Sequence, residues 1–144
     1  MNVQEAQSVD EFASRYQTNS KDLIDRYCAD DLDRELLAAC AAREFTPEQV
    51  EHIMYVSAFT SWVMEGEVRK DKITPTIISL KEIAIGLIQA GCDATTAEFG
   101  LIHDTIEDTE KFDELGKPEK KVTAQVIEKL FGAAHAKATE AKEA

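Results

Sequence analysis

Thr46-Pro47-Glu48-Gln49 is the sharpest structural signal in this chain. Threonine can cap a helix, proline suits its first position, and Gln49 can reach back to the cap as in a capping box. Behind it, Val50, Ile53, Met54, Val56, Phe59, Trp62 and Val63 recur at three- and four-residue spacing, which predicts a helix to about Gly66 with an apolar stripe for a core. His52 falls off the densest part of that stripe and reads as a surface or boundary residue.

The same periodicity extends over nearly the whole chain, so the expected fold is all-α. A short amphipathic piece is expected near Val9 to Tyr16, followed by a long helix capped at Ser20 and running through Leu23, Ile24, Tyr27, Leu32, Leu36, Leu37 and Cys40. Its other face, including Asp31-Leu32-Asp33-Arg34-Glu35, reads as solvated. A calcium loop is excluded there because no glycine turns it and no glutamate closes it. Glu67-Val68-Arg69-Lys70-Asp71-Lys72 is a charged turn, and Ile73-Thr74-Pro75-Thr76-Ile77-Ile78 reads as a loop or extended link. A helix from about Ser79 to Ala90 follows, stopped by Gly91, and then one capped by Asp93 or Thr95. Beyond a polar connection containing Gly116 and Pro118, Thr123 to Gly132 is again amphipathic, and the end from Ala133 has almost nothing to bury. No internal repeat is visible.

The chain has 144 residues and 44% hydrophobic content, enough for one compact domain. A net charge of −12 argues against nucleic-acid binding, which needs a basic face, and permits docking onto a basic protein surface. No apolar run is long enough to cross a bilayer, and the start lacks the layout of a secretory signal, so a cytoplasmic location is expected. Cys28, Cys40 and Cys92 are odd in number and widely spaced, and suit reduced thiols in helix packing rather than disulfides or a zinc knuckle.

Chemistry concentrates in His103-Asp104-Thr105-Ile106-Glu107-Asp108-Thr109, entered from Phe99-Gly100-Leu101-Ile102. If this stretch is helical, Asp104 and Asp108 repel each other one turn apart, and the carboxylates lie near a helix C-terminus, where the dipole prefers cations. A bound divalent cation would compensate, since imidazole and carboxylate are its usual ligands. In the plainer reading a helix ends here and Asp104, Glu107, Asp108 and Thr109 decorate its solvated end. Arg69 and Lys70 form a compact cationic pair suited to phosphate oxygens, or to the dipole of the preceding helix.

The order of these features resembles the HD-domain hydrolases of the RelA/SpoT type, including the small alarmone hydrolases that remove pyrophosphate from (p)ppGpp. The likeness runs from about Val50 to Ala134. It rests on the basic Arg69-Lys70-Asp71, the Pro75-Thr76-Ile77-Ile78 link, the His-Asp-x-x-Glu-Asp-Thr segment and Leu130-Phe131-Gly132. It implies a compact helical HD-like bundle with residues 46–134 as core, residues 1–45 as an N-terminal helical extension packed on it, and 135–144 as a tail. It further implies that His103 and Asp104 ligate Mn2+ or another divalent metal, that Glu107 and Asp108 position or deprotonate the attacking water, and that Arg69 and Lys70 face substrate phosphates.

Two departures matter. Ser79 stands where the family has a further histidine, and no Ala-Asp-Arg or Ala-Asp-Lys segment supplies the family's last aspartate before Ala144. With half of the expected ligands missing, metal is expected to bind weakly. Supply from His52, from His135 or Glu140 in the tail, or from a second chain would restore it. The expected function is that of a degenerate HD-domain protein with weak or no activity that retains binding of (p)ppGpp, a related nucleotide or a partner. The alternatives are an active Mn-dependent phosphohydrolase and an acidic interaction or inhibitor module that docks a basic protein or forms a homo-oligomer.

Overall fold

The computed structural model describes residues 6–68 and 73–131, with backbone alone at 13, 14, 16–19 and 129–131. Seven α-helices and one 3-10 turn account for the regular structure among them: α1 (Val9–Tyr27), α2 (Asp31–Ala42), α3 (Pro47–Val63), α4 (Thr76–Gln89), α5 (Ala94–Ile102), α6 (Thr105–Asp108) and α7 (Ala124–Phe131), with the 3-10 turn at Pro118–Lys120. The fold is an all-α bundle. No described helix is long and apolar enough to cross a membrane.

Helix α3 is the axis of the bundle. Its predicted capping box forms, with Gln49 N–H donating to Thr46 Oγ1 at 3.1 Å and Thr46 N–H donating to Gln49 Oε1 at 2.8 Å. Every residue from Ile53 to Thr60 is buried, so α3 is enclosed on all sides rather than along one stripe. Helices α1 and α5 pack on it directly, while α4 lies between α2 and α5. The α1–α3 contact is aromatic: the Phe12 ring lies 5.4–5.9 Å from those of Tyr27, Tyr55, Phe59 and Trp62.

The N-terminal half differs from expectation. A single helix runs through Ser20, which caps nothing and instead donates to Glu51 Oε1 on α3 at 3.0 Å. The break comes later, at Cys28–Asp30, because Asp30 and Asp33 form a reciprocal capping box that starts α2. Asp33 is also not part of a solvated face: it is 1% exposed and points into the bundle. The link before α4 is shorter than expected as well. Val68 bridges Pro75, Thr76 N–H donates to Glu67 O at 3.0 Å, and Thr76, Ile77 and Ile78 are already helical. Their β-branched propensity is outweighed by packing, Ile77 lying against the core.

At the other end of α3, Lys120 Nζ donates to Trp62 O at 2.8 Å and lies 5.1 Å from the Trp62 ring centroid. Lys117 pairs with Glu67 at 2.6 Å. Together these contacts clamp the connection after α6 onto the helix end, where a cation favours the terminal carbonyls.

Candidate functional site

Helix α5 begins where Asp93 accepts a hydrogen bond from Thr96 N–H at 2.8 Å, which settles the choice between Asp93 and Thr95 as its cap. It passes close to α4 at Gly100, where a Cβ would lie 2.8 Å from Leu87 Cδ1 and 3.2 Å from Ile83 Cγ2. It ends at Ile102, and side chains take two of the carbonyls that the helix end leaves open. His103 Nδ1 lies 2.8 Å from Gly100 O, and Thr105 Oγ1 donates to Ile102 O at 2.8 Å.

The chain then starts a new short helix, α6, so His103 and Asp108 do not share one continuous helix. Asp108 N–H donates to Asp104 O at 2.8 Å, so Asp104 and Asp108 keep the one-turn spacing expected of them, now across the four residues of α6. Nor is this stretch merely a solvated end. Thr105 and Thr109 are fully buried, and Thr109 Oγ1 donates to Thr105 O at 2.7 Å while accepting from Val122 N–H at 2.8 Å.

His103 and Asp104 are brought together. A carbonyl can only accept, so the bond to Gly100 O places a proton on Nδ1 and directs Nε2 toward Asp104 Oδ2, 3.1 Å away. In neutral imidazole this sets a nitrogen lone pair against a carboxylate oxygen. The contact is favourable with a cation there, either a proton or a metal ion. A backbone carbonyl holding the far ring nitrogen is the usual support of a metal-binding histidine. The 3.1 Å separation suits two adjacent ligands with bonds of about 2.1 Å.

The pair alone is a corner rather than a closed site. Glu107 and Asp108 are exposed on α6, and among the described residues no three His, Cys, Asp or Glu side chains are grouped as a metal ion would need. Ser79 lies half-buried in the first turns of α4. Arg69 and Lys70, the expected phosphate contacts, lie outside the described residues, as do His135 and Glu140.

His52, considered as a substitute ligand, is engaged elsewhere: its Nδ1 lies 2.6 Å from Glu98 Oε1 on α5, with the Glu98 side chain 5% exposed. A second buried polar group joins α2, α3 and α4. Lys81 Nζ donates to Asp33 Oδ2 at 2.9 Å and to Asp30 Oδ2 at 3.4 Å, and Ser57 Oγ donates to Asp33 Oδ1 at 3.2 Å. Burial raises the Asp33 carboxyl above its usual range, with Asp30 adding to the shift and Lys81 opposing it. Burial also acts on Asp30, but the bond from Asp33 N–H and the nearby Lys81 outweigh it and hold that carboxyl below the usual range. Cys28, whose Sγ donates to Met54 O at 3.4 Å, has its thiol pushed far up by burial and by Asp33.

Sequence reading passed over these buried groups, although the signal was present. Asp33 precedes Leu36 and Cys40, Lys81 precedes Ala84 and Ile88, and Glu98 precedes Leu101 and Ile102, each at core spacing. A charged residue in phase with an apolar stripe signals a buried pair, because only a partner makes its burial tolerable.

The described fold defines an all-α bundle with a His-Asp corner at a helix junction. Comparison with known protein families, with curated proteins and with solved structures returned no match.

Proposed function

We propose that this chain is a reduced HD-type domain related to the RelA/SpoT hydrolases, with weak or no hydrolytic activity, that binds (p)ppGpp or a related phosphorylated nucleotide. The observation that carries the reading is the opposition of His103 Nε2 and Asp104 Oδ2 at 3.1 Å with Nδ1 tied to Gly100 O, an arrangement suited to a shared cation. His103 and Asp104 would hold a manganese-like ion, which when bound supplies Lewis acidity and a more acidic water. Glu107 and Asp108 would orient or deprotonate that water from the open side, and Arg69 and Lys70 would meet the substrate phosphates. Ser79 in place of the family histidine supports weak metal retention, since a hydroxyl is a poor manganese ligand and water must fill the position.

The test is titration of the purified protein with Mn2+ and with ppGpp, alongside pyrophosphate release, for the native chain and for His103→Ala and Asp104→Ala. The expected result is weak Mn2+ binding lost in both variants, nucleotide binding strengthened by Mn2+, and slow or no turnover. Native Mn2+ and nucleotide binding unchanged in both variants, or no binding of either, would overturn the reading. Rapid turnover abolished by both variants would favour the active phosphohydrolase instead.

A further inference from the structure

An open groove of about 760 Å³ runs between α1, α2 and α3, remote in sequence from the His-Asp corner. Its floor is apolar, formed by Ile24, Leu37, Phe45, Val50 and Met54, and its rim carries Asp25, Glu51 and Lys21. Leu37 is 43% exposed here and, with the neighbouring Phe45 and Val50, makes the groove a continuous apolar surface.

We infer that this groove docks a cationic amphipathic helix of another protein, with the apolar face of that helix on Leu37, Phe45 and Val50 and its lysines or arginines over Asp25 and Glu51. Charge selects this occupant. Between residues 20 and 51, leaving out the buried Asp33, carboxylates outnumber cations eight to four, so a helix with a basic outer face complements the surroundings of the groove. A second copy of the chain fits poorly, because a two-fold interface would bring the same acidic rim against itself. The chain's own C-terminal segment fits no better: beyond Phe131 it contains no apolar side chain larger than alanine, too little to fill a floor of this size. Anionic membranes and nucleic acids are disfavoured by the same surface charge.

The probe is a labelled synthetic peptide of about four helical turns, with leucines at i, i+3, i+4 and i+7 spacing and lysines elsewhere, compared with its glutamate counterpart in fluorescence anisotropy. The variants are Leu37→Gln, which removes an apolar contact, and Ala41→Gln, which fills the groove from an exposed helix position. Both are charge-neutral, and Leu115→Gln, at another exposed leucine, is the control. The lysine peptide should bind, the glutamate peptide should not, and each groove variant should weaken binding about tenfold while the control leaves it unchanged. Equal binding by native and groove variants would reduce the effect to unspecific charge attraction and overturn the inference. So would absence of binding, or a native dimer by sedimentation that Leu37→Gln dissociates.

Discussion

Lys81 Nζ and Asp33 Oδ2 meet at 2.9 Å with both side chains 2% exposed, joining α4 to α2 inside the bundle. Ser57 adds a hydrogen bond from α3, so one carboxylate draws on three helices. Removing one member of such a pair strands the other charge. Lys81→Met should therefore cost about 3–5 kcal/mol in urea unfolding, and the double variant Asp33→Leu with Lys81→Met should recover part of that loss. A Lys81→Met loss below about 1 kcal/mol would mean that water reaches the pair.

The same carboxyl sets a pH dependence. With its folded pKa raised above the free value of 3.8, Asp33 contributes stability that is fully present below 3.8 and lost as pH rises through the folded pKa. Asp30, held below 3.8, contributes in the opposite sense: its stabilisation is present above 3.8 and lost as pH falls. The stability of the native chain relative to Asp33→Asn should therefore decline as pH rises from 3.8. Parallel unfolding curves for the two proteins across that window would contradict the assignment.

Thiol labelling should separate Cys28 and Cys40 from Cys92. Cys28 is driven strongly toward its protonated form by burial, and Cys40 is shifted upward by burial in the same way. Since the thiolate is the reactive species, both should resist alkylation at neutral pH until the chain unfolds, while the half-buried Cys92 reacts first. Mass spectrometry after a short iodoacetamide pulse reads the order directly.

His52 donates to a carboxylate that is nearly fully enclosed, at 2.6 Å from Glu98 Oε1. His52→Ala should destabilise the fold by about 1–3 kcal/mol, and His52→Asn, which can place a donor near the Nδ1 position, should restore part of it. The Mn2+ binding proposed for the His103–Asp104 corner should be the same in both variants as in the native chain, because His52 is engaged with Glu98.

Gly100 tests how α5 is held against α4. An alanine Cβ would meet Leu87 Cδ1, the free end of a flexible side chain that can turn aside, and the Ile83 Cγ2 methyl, on a side chain 40% exposed. Gain in helix propensity of about 1 kcal/mol then offsets the crowding, and Gly100→Ala should be nearly neutral in thermal unfolding. Gly100→Val should lower stability by about 1–3 kcal/mol, because a branched side chain cannot be accommodated by the ends of its neighbours alone.

Apolar periodicity and caps by themselves determine much of this protein: the all-α class, the start of α3 at Thr46 and the stop of α4 at Gly91. These are local properties, written within one or two turns of chain. The burial of Asp33 in the first turn of α2, the early start of α4 at Thr76 and the break of α5 at Ile102 were decided by the tertiary structure. Each depends on energy supplied from a distance: Lys81 on Asp33, core contact on Ile77, and Val122 on the Thr109 that anchors α6. The charges at Asp33, Lys81 and Glu98 show the same division. Sequence placed them in phase with the core, but only three-dimensional pairing made that burial affordable, because the desolvation cost of each charge is offset by a partner on another helix.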